Sequence, residues 1–172
     1  MMDFKNYLNE TSLNGLYKST VDAFPETKMR QYATDTIVIS HLNWIPYVGM
    51  KTLFVKGLAQ NEGREYNPVV VFKQVQYNPN ENFVELNAND GKTYRLNRLS
   101  LENNDVLLRC NCGDFFNRFN FYNHLDKSLY NRKRKKYESN GGPPANPLEL
   151  PGMCKHLMKT IYVLRESGIF SD

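Results

Sequence analysis

The sequence has no apolar run near the roughly 18 residues that a membrane-crossing helix requires, so no spanning segment and no membrane partner are expected. Its start, Met1-Met2-Asp3-Phe4-Lys5-Asn6, lacks the basic-then-apolar layout of a secretory leader, and folding in a reducing cytoplasm is expected. There is no phosphate-binding glycine loop, no serine elbow and no His-Glu-x-x-His pair. Those absences argue against an enzyme. Strand-like and helix-like stretches do not alternate as βαβ units would, which speaks against a parallel dinucleotide-binding sheet. Cysteine is scarce and odd in number, three in 172 residues, a poor basis for a disulfide framework.

The few cysteines are nevertheless concentrated. Cys110-Asn111-Cys112 and, after 41 intervening residues, Cys154-Lys155-His156 use every thiol in the chain and one of its three histidines. Three sulfurs and an imidazole make a complete tetrahedral donor set for zinc, which prefers sulfur and nitrogen and closes its structural sites at four protein ligands. No position is left for substrate or activated water, so Zn2+ at Cys110, Cys112, Cys154 and His156 reads as a structural staple. On a strand, residues two apart share a face, so Cys110 and Cys112 are expected to point one way and Asn111 the other. His41 and His124 are read as surface or partly buried residues.

Taken in order, residues 1–35 read as an N-terminal helical arm and 36–172 as the body. Leu13, Leu16, Tyr17, Val21 and Phe24 fall at helical spacing, closed by Pro25. The arm packs on its own body or docks on a neighbouring subunit, and Phe4, Leu16 and Tyr17 are its candidate interface residues. Trp44 to Gly49 reads as an apolar loop by its Pro and Gly, with Trp44 either plugging the core or, with Tyr47, anchoring a partner. Short runs rich in Val, Phe, Tyr and Leu at 36–39, 52–57, 68–77, 82–86, 92–96 and 105–110 predict an antiparallel sheet of about five or six strands joined mostly by hairpins, with Asn89-Asp90-Gly91 as one turn. Asp114 is expected to cap a helix bearing Phe115, Phe119, Tyr122 and Leu129, and a second helix is expected to start close to Cys154 and carry Leu157, Ile161 and Leu164. The fold class is therefore α+β, an antiparallel sheet with a C-terminal helix pair stapled by zinc.

Net charge is +4, yet Lys127, Arg132, Lys133, Arg134, Lys135 and Lys136 give one short segment +6 and leave −2 for the rest. Flanked by Tyr130 and Tyr137, this segment offers phosphate neutralisation with stacking, which makes nucleic acid a possible partner and a zinc-containing nucleic-acid-binding module the alternative function. An acidic protein surface is the other partner such a run fits.

Cys-x-Cys followed by Cys-x-His is similar to the SWIM-type zinc motif, whose four ligand positions match Cys110, Cys112, Cys154 and His156. A second resemblance spans about Thr36 to Leu164. Asp105-Val106, Arg109-Cys110-Asn111-Cys112, Asp114-Phe115-Phe116-Asn117-Arg118-Phe119, Pro143-Pro144-Ala145-Asn146-Pro147 and Pro151-Gly152-Met153-Cys154-Lys155-His156-Leu157 resemble small virion structural proteins of large tailed bacteriophages, including crAss-like phages. That resemblance implies a neck, tail or capsid subunit located in the virion and made in the host cytoplasm. It also implies other virion proteins as partners, a ring- or lattice-forming homo-oligomer, and no enzymatic activity.

Overall fold

The computed structural model describes residues 12–25, 37–138 and 140–172. Phe4, the rest of the expected arm and Thr36, the first residue of the expected 36–39 strand, lie outside them. The described part of the arm opens at Ser12, whose hydroxyl accepts a hydrogen bond from the Gly15 amide at 3.1 Å and so starts helix α1, Leu13–Ala23. Leu13, Leu16 and Thr20 are buried on one face, and Tyr17, Val21 and Phe24 pack against the same cluster. The described helix thus shares the core of the body, and the Asn14 amide ties it there by donating to the Leu101 carbonyl.

The main sheet is antiparallel, with strands β1 (Val38–Tyr47), β2 (Thr52–Asn61), β3 (Arg64–Tyr66), β4 (Val69–Phe72) and, later in the chain, β7 (Val106–Arg109). Its order is β1-β2-β4-β7, and β3 pairs with the far end of β2. A second, two-stranded sheet is formed by β5 (Phe83–Asn87) and β6 (Thr93–Asn97). The single sheet expected from the sequence is therefore two, because the turn at Gly91 closes a hairpin whose partners are its own strands. Where the sequence suggested a loop at Trp44 to Tyr47, these residues instead finish β1, opposite Thr52 to Val55. Pro46 is tolerated there because β1 is an edge strand, and the missing amide hydrogen need not face a neighbour.

Strand β2 brings a polar group into the interior. Leu53, Val55, Gly57, Ala59 and Asn61 alternate inward, all buried, so strand parity carries the Asn61 amide to the core face at the strand's end. A two-residue turn, Glu62-Gly63, then reverses the chain with positive φ at both residues (+53° and +73°), the geometry of a type I′ hairpin.

Beyond β7 the chain passes through a π-helical turn, Phe115–Phe119, into the short helix α2, Asn120–Leu125. The apolar stripe expected to run on to Leu129 stops early. Leu125 is exposed while Asn120 and Asn123 are buried, and Leu129 leaves the helix to bridge Leu108 beside β7. The last helix, α3, spans Lys155–Glu166 and buries Leu157, Met158, Ile161 and Leu164. Both sheets, α1 and α3 contribute to one hydrophobic cluster. The chain is α+β, with antiparallel sheets and a C-terminal helix.

Candidate metal centre

β7 stops at Arg109, one residue short of the first sulfur. Cys110 and Cys112 therefore sit in the link that succeeds the strand, not on the strand as expected. Cys112 does locally what Asp114 was expected to do: its sulfur accepts a hydrogen bond from the Phe115 amide at 3.3 Å, and its carbonyl accepts from the Phe116 amide. Asp114 already has helical dihedrals and pairs instead with Arg118 at 3.2 Å. An amide donating to sulfur holds that sulfur as an acceptor, which suits a thiolate ligand.

The second half-site arrives on a braced approach. The Ser19 hydroxyl donates to the Pro151 carbonyl, and Thr20 Oγ1 accepts from the Met153 amide at 2.9 Å. The Asn123 side chain donates to the Gly152 carbonyl and accepts from the Gly152 amide, so it binds that residue as a neighbouring strand would. Asn146 accepts from the Leu150 amide and donates to the Arg118 and Leu150 carbonyls. Gly152 is enclosed: a Cβ there would lie 2.6 Å from the Phe119 ring and closer still to Thr20 Oγ1. Cys154 comes next as the residue before α3, and His156 lies in its first turn.

The result is a cluster of Cys110, Cys112, Cys154 and His156 whose ligand atoms all lie within 4.8 Å of one another, every residue buried. Cys110 Sγ and His156 Nδ1 are 3.9 Å apart. A tetrahedral zinc with sulfur bonds of about 2.3 Å spaces its donors by about 3.7 Å, so the cage has the right size for such an ion. Hydrogen bonds from Cys110 and then Cys154 hold the Cys112 thiol far below its ordinary range. Its bond to Cys112 pushes Cys110 far up, and burial does the same to Cys154. Three sulfurs this close oppose one another's ionisation, and a bound dication is what allows all three to be thiolates. The arrangement can hold a metal ion.

Two residues at this centre were not anticipated from the sequence. The Asn61 side-chain amide lies 3.2 Å from His156 Nε2, and the Tyr66 ring stacks on the imidazole at 4.3 Å with 27° between planes. Alternation along β2 is the signal that identifies Asn61, provided the strand is carried past Gly57; for Tyr66 no sequence signal exists. His41 and His124 are exposed and stand outside the cluster.

The remaining candidates are dispersed. Leu16 is fully buried in the core, Tyr17 and Trp44 are partly buried against it, and Tyr47 is 45% exposed beside Val48 and Met50 at the tip of the β1–β2 hairpin. Lys127 and Arg132 to Lys136 are exposed on irregular chain. Among the described residues no helix is long and apolar enough to cross a membrane. No protein-family model matches the chain, and no curated protein or solved structure matches it.

Proposed function

We propose that the cage holds zinc in a SWIM-type arrangement and that the protein is a structural subunit of a tailed-bacteriophage particle, not an enzyme. The observation that carries the reading is the closed, buried donor set. Four protein donors complete a zinc tetrahedron, exclude water and substrate, and convert binding energy into folding energy. The exposed apolar tip of Tyr47, Val48 and Met50 supports a contact role, since apolar side chains grouped at one point of a surface mark interaction sites. The resemblance of the segments around Cys110 and Cys154 to virion proteins supplies the setting. Metal analysis of the purified protein, with native mass measurement and mass spectrometry of intact particles, tests it. One zinc per chain and an assembled, particle-borne protein are expected. A strictly monomeric protein absent from particles, or clearly less than one zinc per chain, overturns it.

A second reading, binding to nucleic acid, is favoured by the way the basic segment is held. Arg109 donates to the Tyr130 and Arg132 carbonyls, the Arg134 amide donates to Asn120 Oδ1 at 2.7 Å, and the Arg134 guanidinium lies over the Phe116 ring at 4.5 Å. Lys133 and Lys135 are thereby presented on an ordered, exposed chain beside a groove lined by Phe116, Asn117 and Tyr137. Anisotropy of a labelled oligonucleotide is the test. Binding at about 50 mM salt that weakens steeply by about 200 mM is expected, and no binding at the lower salt rejects this reading.

A further inference from the structure

We infer that Asn61 and Tyr66, both from the β2–β3 hairpin, are positioning residues that fix His156 as a ligand through Nδ1. The inference rests on the proposed metal site and names what orients its one nitrogen donor. Of the two ring nitrogens, Nδ1 is the one 3.9 Å from Cys110 Sγ, while Nε2 faces away toward Asn61 at 3.2 Å. An imidazole that gives Nδ1 to a metal carries its proton on Nε2, and that proton needs an acceptor when buried. Asn61 is 5% exposed and supplies an amide at that position. Its nitrogen end is the nearer one; the two ends of an amide fill the same space and are assigned by hydrogen bonding, so ligation through Nδ1 places Oδ1 toward the ring.

Tyr66 fixes the other degree of freedom. Stacked at 27° on the imidazole, it stops the ring from turning out of the plane that aims Nδ1 at Cys110 Sγ. The hairpin is in turn held to the first half-site, because the Asn67 amide donates to Asn111 Oδ1 at 2.8 Å. Asn111, which separates the two sulfurs in sequence, thus joins the hairpin to the cage. Three pieces of chain meet at the cage: the link after β7, the start of α3 and, through His156, the β2–β3 hairpin.

The test uses the full-length, 15N-labelled protein loaded with zinc and a long-range proton–nitrogen correlation of the histidine rings. His156 is expected to be protonated on Nε2 with Nδ1 bound to metal; a proton on Nδ1 overturns the inference, and this measurement needs no variant. In chelator competition Asn61→Ala is expected to weaken zinc binding about 10- to 100-fold. Asn61→Asp, which keeps the acceptor, is expected to restore it, and Arg64→Ala on the same hairpin is expected to leave it unchanged. Tyr66→Leu is expected to weaken binding by a smaller factor. Unchanged affinity in Asn61→Ala overturns the inference while leaving the metal reading intact; failure of the unmodified protein to take up zinc or cobalt overturns the metal reading itself.

Discussion

Gly152 stands where α1, the π-turn and the approach to α3 touch, with its backbone bound on both sides by Asn123. A methyl group at this position meets a hydroxyl and an aromatic ring, neither of which has open space to retreat into. Gly152→Ala is therefore expected to destabilise the protein by about 1–3 kcal/mol, read as a lower urea midpoint with little change in slope. With zinc in the cage as proposed, Cys110→Ser removes a soft donor from a closed set, and zinc per chain should fall toward zero; His124→Ala, at an exposed helix residue, should leave both zinc content and midpoint nearly unchanged. Tyr77 gives a pH dependence with a defined sign. Burial pushes its phenol far above the ordinary value of about 10, and its hydroxyl donates to the Thr52 carbonyl at 2.6 Å. The unfolded chain ionises near pH 10 while the folded one keeps its proton, so this contribution is complete below about pH 10 and is lost as pH rises above it. Urea midpoints should fall as pH is raised from about 9 to about 11, and the fall should be shallower in Tyr77→Phe.

At the scale of elements, the π-turn is the place where sequence pattern and structure part. A regular α-helix from Asp114 would turn Phe115, Phe119, Tyr122 and Leu129 to one side; the wider turn over Phe115–Phe119 shifts the phase, so that Asn120 and Asn123 face inward and Leu125 outward. Asn123 is thereby brought to Gly152. Had the helix kept its regular phase, the second half-site would lose that brace. Hydrogen exchange should report this coupling. On chelation of the metal, amides at 110–119, at 152–160 and in the β2–β3 hairpin should lose protection first, while the β1–β2 and β2–β4 ladders, buried by Leu53, Val55, Val70 and Phe72, keep theirs. Equal loss across all strands would contradict a local staple.

For the whole molecule, the proposed metal site and the hydrophobic cluster draw on the same elements. α3 buries Leu157, Ile161 and Leu164 in the cluster and presents His156 to the cage, while the C-terminal end is pinned where the Ser171 amide donates to the Leu99 carbonyl and the Leu101 amide donates to the Asp172 carboxylate. Zinc binding free energy in small domains is about 10–16 kcal/mol, comparable with the whole stability of an ordinary domain. Saturating zinc should therefore raise the thermal midpoint well above that of chelated protein, by about 10 °C or more at roughly 4 °C per kcal/mol, as calorimetry would show. The charge separates from this architecture. A −2 remainder carries a +6 segment on its outside, anchored through backbone groups that leave Lys133 and Lys135 exposed.

The donor set itself was legible in the sequence, because zinc chemistry depends on residue type and number, and all three thiols lie in two short clusters. Strands at 52–57, 82–86 and 92–96 and the α3 stripe were legible for the same reason: local alternation or helical spacing records which side of an element is buried. Strand β1 through Pro46 was not, since whether a proline is tolerated depends on which strand lies at the edge. Nor were Asn61 and Tyr66 as neighbours of His156, or Gly152 as a contact point between helices. These are meetings of residues far apart in the chain, fixed by sheet order and by the phase of a single π-turn, and no local pattern encodes either one.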